Sequence, residues 1–346
     1  MTSMSRDGDA TVAGGPLLHV DGLTVSLPGA TGRLLPVDSL SFEMAAGEVV
    51  GIVGESGSGK SLTALAIAQL VPFPAQVSAN ALLFGGYDLL TAPPKLKRTI
   101  LASRLSMIFQ NPMASLNPAM RVGPQLVDGL RSSQGFRRRD ALARAKHLLG
   151  EVNIARPEAA MRRYPFEFSG GMRQRAMIAM ALMAEPELLI ADEPTTALDV
   201  TVQAQVLEVL RQVNREHGTA IILISHNLGI VSEICQRVLV MYAGRIVEDL
   251  DVTALSTGAA HPYTKALMAS VPSLEGDRSA PLVTIPGRPP RLEERPPGCA
   301  FAPRCGVAVA QCSAERPELA EMRLDHRVAC FVAIKRKSEV MSRGEA

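Results

Sequence analysis

The chain has 346 residues, of which 47% are hydrophobic and 20% charged, and its formal net charge at neutral pH is +2. This length suits one large α/β domain with an appendage, or two domains, and the composition is that of a folded soluble protein. A charge so close to zero gives no strong attraction to nucleic acid. Because no apolar run is long enough to span a bilayer and the N-terminus holds no apolar targeting segment, we expect a soluble, cytoplasmic protein.

The predicted elements alternate between strands and helices. Residues 1–15 are polar and are predicted to be disordered, and short strands are predicted between 17 and 50. The apolar run EVVGIVG (48–54) predicts a buried strand that leads into the helix KSLTALAIAQL. Residues 115–165 have a mostly helical pattern, and the later buried strands ELLIAD and AIILIS enclose an amphipathic helix (201–218). Strands that are apolar on both faces indicate a parallel sheet covered by helices.

The run GESGSGKS (54–61) fits the phosphate-binding pattern G-x-x-x-x-G-K-[ST], in the required place between a strand and a helix. Backbone N–H groups around the glycines and the helix N-terminus hold phosphate oxygens in this motif. Lys60 is predicted to reach the β- and γ-phosphates, and Ser61 to ligate Mg²⁺. A glycine-rich turn with a chance lysine is the plain alternative. The predicted nucleotide contacts are Gly54, Ser56, Gly57, Gly59, Lys60 and Ser61.

A second motif, LLIADEP (188–194), places two carboxylates at the end of a buried strand. Parallel sheets bind ligands at the carboxyl ends of their strands, so Asp192 is predicted to lie in the Mg²⁺ shell, through water. Glu193 is placed to orient or deprotonate an attacking water molecule. Two solvated carboxylates would be the plain alternative, and it is weak beside a phosphate-binding motif.

The run EFSGGMRQR (167–175) predicts a second anion site, because Ser169 and two glycines stand at the start of a helix. It resembles the signature loop of ABC-transporter ATPases. In that family two ATPase domains face head to tail, and the signature loop of one covers the γ-phosphate held by the other. The resemblance implies that Ser169, Gly170 and Gly171 contact ATP bound to a partner.

Further elements match the same family one at a time. Gln110 in MIFQNP matches the glutamine loop, which contacts metal or water and touches the membrane subunit. Asp199 in ALD matches the D-loop, which crosses the dimer interface, and His226 in LISHNLG matches the switch histidine that contacts the γ-phosphate. The family usually stacks adenine on an aromatic residue, whereas Leu27 stands at that position and would offer only apolar contact. The resemblance covers roughly residues 17–255.

The resemblance implies an α/β fold with the P-loop, RecA-like core of an ABC ATPase. An antiparallel β subdomain, an α-helical subdomain and a C-terminal cysteine-rich extension are expected around that core. The alternating pattern weakens after residue 255, and a proline-rich linker occupies 285–298. The predicted limits are a disordered N-terminus (1–15), the ATPase domain (16–255, helical subdomain about 111–170), the extension (256–337) and a disordered tail (338–346).

Three runs, FQNPMASLNP, HPYTKAL (261–267) and GCAFAPRC, look like the peptide/nickel branch of ABC importers, which includes the ATP-binding subunits of dipeptide and oligopeptide permeases. This likeness implies an ATPase that uses ATP and Mg²⁺ to power import of a peptide or related solute, bound peripherally at the cytoplasmic face of the membrane. The implied partners are two membrane permeases, an extracytoplasmic substrate-binding protein and a second ATPase subunit, with heterodimer and homodimer both open, and no nucleic acid.

Two other functions fit the motifs less well. A soluble ABC ATPase that acts on ribosomes or nucleic acid usually holds two cassettes, whereas one GKS and one SGG occur here, and the chain is only weakly basic. A non-hydrolysing nucleotide-binding regulator would not need both Glu193 and His226.

Four of the five cysteines lie near the C-terminus, at Cys299, Cys305, Cys312 and Cys330. Structural zinc sites usually begin with a closely spaced cysteine pair, which is missing here, and four thiolates in loop-rich sequence suit a [4Fe–4S] cluster. The peptide branch includes members with such a cluster, while Zn²⁺ and unliganded thiols stay open as alternatives. We expect Cys235 to be an inert core thiol and His326 to be structural. Because the cysteines follow the ATPase motifs, we expect them to take no direct part in hydrolysis.

Overall fold

The computed structural model describes residues 15–30, 32–110, 116–196, 198–271 and 284–344. The strands are β1 (Leu18–Gly29), β2 (Gly32–Met44), β3 (Val49–Val53), β4 (Gln76–Ser78), β5 (Ala81–Phe84), β6 (Tyr87–Asp88), β7 (Leu105–Ile108), β8 (Leu188–Asp192), β9 (Ala220–Ile224), β10 (Arg237–Tyr242), β11 (Arg245–Asp251), β12 (Ala320–Arg323) and β13 (His326–Val328).

The helices lie mostly between the strands of the central sheet. They are α1 (Lys60–Ile67), α2 (Pro94–Arg104), α3 (Val122–Gln134), α4 (Arg138–Glu151), α5 (Pro157–Met161), α6 (Gly170–Leu182), α7 (Val200–His217), α8 (Leu228–Ile234), α9 (Ala254–Thr257), α10 (Pro262–Ala269), α11 (Ala310–Ala314) and α12 (Phe331–Gly344). None of the helices in the described ranges is both long enough and apolar enough to cross a membrane.

The central sheet has the strand order β12-β13-β11-β10-β3-β9-β8-β7. The strands from β10 to β7 pair in parallel, as the apolar runs predict, and the strands from β11 to β12 pair antiparallel. Alternate residues of the parallel strands enter different cores: Ile221 and Leu223 of β9 pack on one side, and Ile222 and Ile224 on the other. Burial of both faces explains why these strands have continuous apolar sequences.

Two smaller units flank this sheet. An antiparallel sheet with the order β2-β1-β5-β6, to which β4 adds by pairing with β1, packs through a shared core against one face. A helical unit formed by α3, α4 and α5 packs on α6. Both units were expected from the family resemblance.

The C-terminal extension is built onto the central sheet. Although the sequence pattern weakens after residue 255, β13 pairs antiparallel with β11 and continues the sheet. Phe301 is 3% exposed and belongs to the core that lies over the parallel strands. Short strands such as β12 and β13 carry too little periodicity to be recognised in sequence, but the open edge of β11 supplies backbone partners for β13, and β13 supplies them for β12.

Helix α12 overlaps the predicted disordered tail (338–346) at residues 338–344. Helix α12 continues to Gly344, because the chain offers no glycine or proline before that position to end it. The last two residues of the predicted tail, and residues 1–14 of the predicted disordered N-terminus, lie outside the described ranges.

Candidate functional site

Four neighbouring parallel strands bring the motif residues to one edge of the central sheet. The phosphate-binding run follows β3, His226 follows β9, Glu193 follows β8 and Gln110 follows β7. Because β3, β9, β8 and β7 are adjacent and parallel, their carboxyl ends meet at that edge. Motifs that are up to 172 residues apart in the sequence therefore form one site.

The phosphate-binding loop depends on glycines where the backbone passes close to its neighbours. Gly54 has φ +150°, and a Cβ there would lie 2.1 Å from the Met241 carbonyl oxygen. Gly59 has φ +101°, and a Cβ there would lie 2.6 Å from the Pro36 carbonyl oxygen. Only glycine fits either position without moving the backbone, and the loop therefore keeps its N–H groups arranged at the start of α1.

Lys60 lies folded over this loop and is 6% exposed. Its Nζ donates to the carbonyl oxygens of Gly54 at 2.9 Å and Glu55 at 3.0 Å. Burial lowers the pKa of Lys60, while the charges of Glu193, Asp192 and Glu55 oppose that shift. A buried ammonium held by two carbonyls suits an anionic ligand, since a phosphate would supply the full counter-charge that the carbonyls lack.

Ser61 and Asp192 lie side by side, as a shared Mg²⁺ shell requires. The Ser61 hydroxyl donates to Asp192 Oδ1 at 3.0 Å. Burial raises the pKa of Asp192, and the hydrogen bond from Ser61 opposes that rise. A hydroxyl and a buried carboxylate are the hard oxygen donors that Mg²⁺ prefers, so this pair fits the metal.

Three polar side chains surround the Glu193 carboxylate. Its Oε2 accepts hydrogen bonds from Gln110 Nε2 and Thr196 Oγ1, both at 2.8 Å, and its Oε1 lies 3.3 Å from His226 Nδ1. Burial raises the pKa of Glu193, but the hydrogen bonds from Thr196, His226 and Gln110 outweigh it and lower the pKa below its ordinary value. The carboxylate is therefore held as an anion that can accept a proton from water.

The proposed signature loop and D-loop lie at the starts of two adjoining helices. Ser169 caps α6 by accepting from the Met172 N–H at 3.3 Å, and Asp199 caps α7 by accepting from the Val202 N–H at 2.9 Å. A Cβ at Gly171 would lie 2.5 Å from Val202 Cγ1, so glycine allows the two helices to pack. Within the described residues neither loop closes over the phosphate-binding loop of its own chain by any hydrogen bond or ion pair.

Some predicted elements have limited structural description. Leu27, at the position where the family usually has an aromatic residue, is half-buried in β1 and pairs with Leu34 of β2. The part of the glutamine loop at 111–115, and residue 197 of the D-loop motif, lie outside the described ranges.

The four C-terminal cysteines surround one small cavity, which Cys299, Cys305, Cys312 and Cys330 all line. Burial raises the pKa of the Cys299 thiol, and backbone N–H groups of Phe301 and Ala302 act in the opposite direction. Burial likewise raises the pKa of Cys330, again opposed by backbone N–H groups.

Cys235 lies elsewhere and is a buried thiol whose pKa burial raises to about 12, in line with an inert role. His326 is buried, with Nε2 at 2.7 Å from Glu248, which is a structural contact.

Three side chains in or beside the site have no counterpart in the sequence prediction. Thr196 bonds to Glu193, and Arg304 and Tyr263 bond to Glu55 in the phosphate-binding loop. Thr196 stands only three residues after Glu193, and this close spacing could have indicated the contact between them. Arg304 and Tyr263 lie more than 200 residues after Glu55, and no sequence spacing indicated the contact.

The fold and the site together define an ATPase of the ABC class. The family model described as ABC transporter matches residues 37–196, and the model described as oligopeptide/dipeptide transporter, C-terminal region, matches residues 247–312. The chain belongs to the family of ATP-binding proteins of oligopeptide and dipeptide ABC transporters.

Curated relatives are similar along nearly the whole chain. The oligopeptide transport ATP-binding protein OppD of Salmonella typhimurium is 45% identical, over 96% of this chain and 99% of that protein. A probable peptide ABC transporter ATP-binding protein of Sinorhizobium fredii is 46% identical, over 94% and 96%. The dipeptide transport ATP-binding protein DppD of Escherichia coli is 44% identical, over 88% and 92%.

Solved structures share the fold of the ATPase part. The dimeric ATP-binding cassette MJ0796 bound to ADP and phosphate matches with a TM-score of 0.59 at 21% identity, over 68% of this chain and 98% of that one. The cassette cbiO1 of Clostridium perfringens matches with a TM-score of 0.60 at 25% identity, over 69% and 90%. The predicted fold class, an ABC ATPase core, is confirmed.

Proposed function

We propose that this chain binds and hydrolyses ATP to power the import of peptides through an ABC transporter. The observation that carries the proposal is the convergence of Lys60, Ser61, Asp192 and Glu193 at one edge of the parallel sheet. The relatives' names supply the peptide substrate class, and the matching C-terminal region favours a transporter subunit over a soluble ABC ATPase.

Nucleotide binding uses the residues around α1. Lys60 exchanges its carbonyl partners for phosphate oxygens, and N–H groups between Gly54 and Ser61 bind the remaining oxygens. Ser61 and Asp192 would hold Mg²⁺, which neutralises phosphate charge when bound. Leu27 would offer adenine an apolar surface without ring stacking.

Hydrolysis depends on Glu193. The anionic carboxylate orients a water molecule and accepts its proton, while Gln110 and Thr196 fix the carboxylate by hydrogen bonds. His226 is 62% exposed at its side chain, so it is available to contact the γ-phosphate. Glu193, Gln110 and His226 are the catalytic set in this proposal.

A second ATPase subunit completes the site. The start of α6, where Ser169 and Gly170 are exposed and Gly171 is buried against Val202, would cover the γ-phosphate bound by the partner, and Asp199 would lie at the interface. We assign the chain to a homodimer or heterodimer on two membrane permeases, at the cytoplasmic face of the membrane, served by an extracytoplasmic substrate-binding protein. We propose the same domain limits as the sequence predicts, with an ATPase domain at 16–255 and a C-terminal extension at 256–337.

Reconstitution tests this function. The genes for the chain, a candidate second ATPase subunit and candidate permeases are expressed together. The purified complex is placed in liposomes with ATP inside, and the candidate substrate-binding protein and radiolabelled dipeptide or oligopeptide are added outside. We expect peptide uptake that stops without Mg²⁺ or ATP. A complex that hydrolyses ATP but takes up only nickel or another solute would contradict the peptide assignment, and a chain that binds no ATP would contradict the ATPase assignment.

We also propose that the four cysteines ligate a structural [4Fe–4S] cluster. The four thiols line one small cavity, so each can reach a group bound at its centre. Four thiolates in loop-rich sequence without a closely spaced cysteine pair suit an iron–sulfur cluster better than zinc. Backbone N–H groups directed at Cys299 and Cys330 would stabilise charged thiolates.

Metal analysis decides between the cluster and zinc. The protein is purified without oxygen, and iron, sulfide and zinc are measured for the wild type, for Cys305→Ser and for the control Cys235→Ser. We expect about four iron and four sulfide per chain in wild type and control, lost in Cys305→Ser. One zinc without sulfide would establish a zinc site, and metal-free wild type with a protease-resistant extension would rule out both metals.

A further inference from the structure

Two side chains of the C-terminal extension form polar contacts with one residue of the phosphate-binding loop. Arg304 forms a bidentate ion pair with Glu55, with Nη1 at 2.7 Å from Oε2 and Nη2 at 3.0 Å from Oε1. The Tyr263 hydroxyl accepts a hydrogen bond from the Glu55 backbone N–H at 2.8 Å. The side chain and the main chain of Glu55 are therefore both tied to the segment that follows the ATPase core.

The Arg304 guanidinium is fixed from every side. Its side chain is 4% exposed, and it also donates to the Tyr242 hydroxyl at 3.1 Å and to the Pro286 carbonyl oxygen at 2.8 Å. The rings of Tyr242 and Phe301 lie 5.8 Å from the guanidinium carbon. Because its donors are oriented before any ligand binds, Arg304 holds the Glu55 carboxylate in one place.

The negative charge of the Glu55 carboxylate disfavours the binding of phosphate by its own loop. The Glu55 carbonyl oxygen accepts from Lys60 Nζ at 3.0 Å, and the Glu55 charge acts on the Lys60 ammonium. An unpaired carboxylate here would repel a triphosphate and compete with it for Lys60. Pairing with a buried guanidinium removes that competition.

We propose that Arg304 and Tyr263 are positioning residues for nucleotide binding. Arg304 neutralises Glu55 so that Lys60 is available to phosphate, and Tyr263 fixes the loop backbone at the same residue. This inference rests on the proposed ATP-binding function of the loop. Arg304, which lies between Cys299 and Cys305, joins the cysteine-bearing segment to the phosphate-binding loop, and the expectation that the cysteines take no direct part in hydrolysis stays a prediction.

The test is a double-mutant cycle on nucleotide affinity. The Kd of the full-length chain for the Mg²⁺ complex of a non-hydrolysable ATP analogue is measured by calorimetry. Arg304→Met should raise this Kd about tenfold, since it leaves Glu55 unpaired beside Lys60. In the Glu55→Gln background the same substitution should change the Kd by less than about threefold, because no competing carboxylate is left.

Matched controls separate positioning from general structure. Arg327→Met removes another extension arginine, which pairs with Asp249 of β11 at 2.6 Å, and should leave the Kd unchanged. Tyr263→Phe should raise the Kd by about threefold through loss of one hydrogen bond.

The proposal fails if folded Arg304→Met binds the analogue with wild-type Kd, or if Glu55→Gln does not rescue it. Should Arg304→Met not fold, Arg304→Gln and Tyr263→Phe carry the test, and wild-type Kd in both would overturn the proposal. A wild-type chain that does not bind the analogue would overturn the proposed ATP-binding function, and this inference with it.

Discussion

The Thr196 hydroxyl donates a hydrogen bond to Glu193 Oε2 over 2.8 Å. This contact fixes the carboxylate through a residue only three positions further along the chain. Together with Gln110, which donates to the same oxygen, it leaves the second oxygen of Glu193 toward His226. One oxygen of the carboxylate thus accepts both hydrogen bonds, and the other oxygen lies near His226.

Glu193→Gln should retain ATP binding and stop hydrolysis. The amide keeps the size of the side chain but cannot accept a proton from water, so we expect turnover to fall by at least about 100-fold. Steady-state ATPase assays and analogue binding on the same preparation measure the two effects. A Thr196→Val variant, which keeps the carboxylate and loses only one hydrogen bond, should lose much less activity. Equal losses in both variants would contradict the role of Glu193 as the base.

Lys60→Ala should instead weaken nucleotide binding itself. It removes the buried ammonium that lies over the phosphate-binding loop, and a charged hydrogen-bond donor is worth enough to raise the Kd on the order of 10- to 100-fold. Calorimetric titration with Mg²⁺ and the ATP analogue gives the Kd. Lys97→Ala, which removes a lysine bonded to Gln69, serves as the control. Unchanged affinity in Lys60→Ala would show that the loop does not hold the triphosphate.

Ser169→Arg should abolish turnover while ATP binding stays within about threefold of wild type. Ser169 lies at the exposed start of α6, and no hydrogen bond or ion pair joins it to the phosphate-binding loop of its own chain within the described residues. Because its cap is worth only about 1 kcal/mol, the variant should fold. The assay is ATPase activity against protein concentration, with Thr99→Arg on an exposed face of α2 as control. Full turnover by a monomeric wild type would refute the dimer model.

Glu248 should be essential for docking of the extension. Its carboxylate is fully buried and accepts from the Ala260 N–H at 2.5 Å and the His261 N–H at 3.1 Å, and His326 Nε2 lies at 2.7 Å. Glu248→Ala leaves buried donors without partners and should lower the free energy of unfolding by about 3 kcal/mol. Urea unfolding measures this loss, and Glu321→Ala on the exposed face of β12 should cost little.

Because the Glu248 carboxylate is ionised in these contacts, we expect the free energy of unfolding to fall at acid pH. Burial raises the pKa of Glu248, but hydrogen bonds from His326 and the backbone outweigh it and lower the pKa below the ordinary value of 4.5. The stabilisation is therefore complete above pH 4.5 and is lost as the pH falls through the lower pKa of the folded state. Urea unfolding between pH 7 and pH 3 should show a shallower acid loss for Glu248→Gln than for wild type. Parallel curves would exclude Glu248 as the source.

The contiguous motifs were predictable because their chemistry is local. A loop that wraps a phosphate needs its glycines, Lys60 and Ser61 within a few residues, and a buried parallel strand needs an unbroken apolar run. Both requirements concern residues that are adjacent in the sequence, and so the core strands and the candidate nucleotide residues can be predicted from the sequence alone.

The order of the strands and the pairing of distant charges were decided only by the tertiary structure. Arg304 and Glu55 are 249 residues apart, and either side chain alone is an ordinary surface charge. The extension meets the loop because β13 pairs with the open edge of the sheet and Phe301 enters the core. The elements involved are so short that their sequences show no periodic pattern from which this pairing or burial could be predicted. Only after that docking does the guanidinium lie against the carboxylate, where burial makes the ion pair specific.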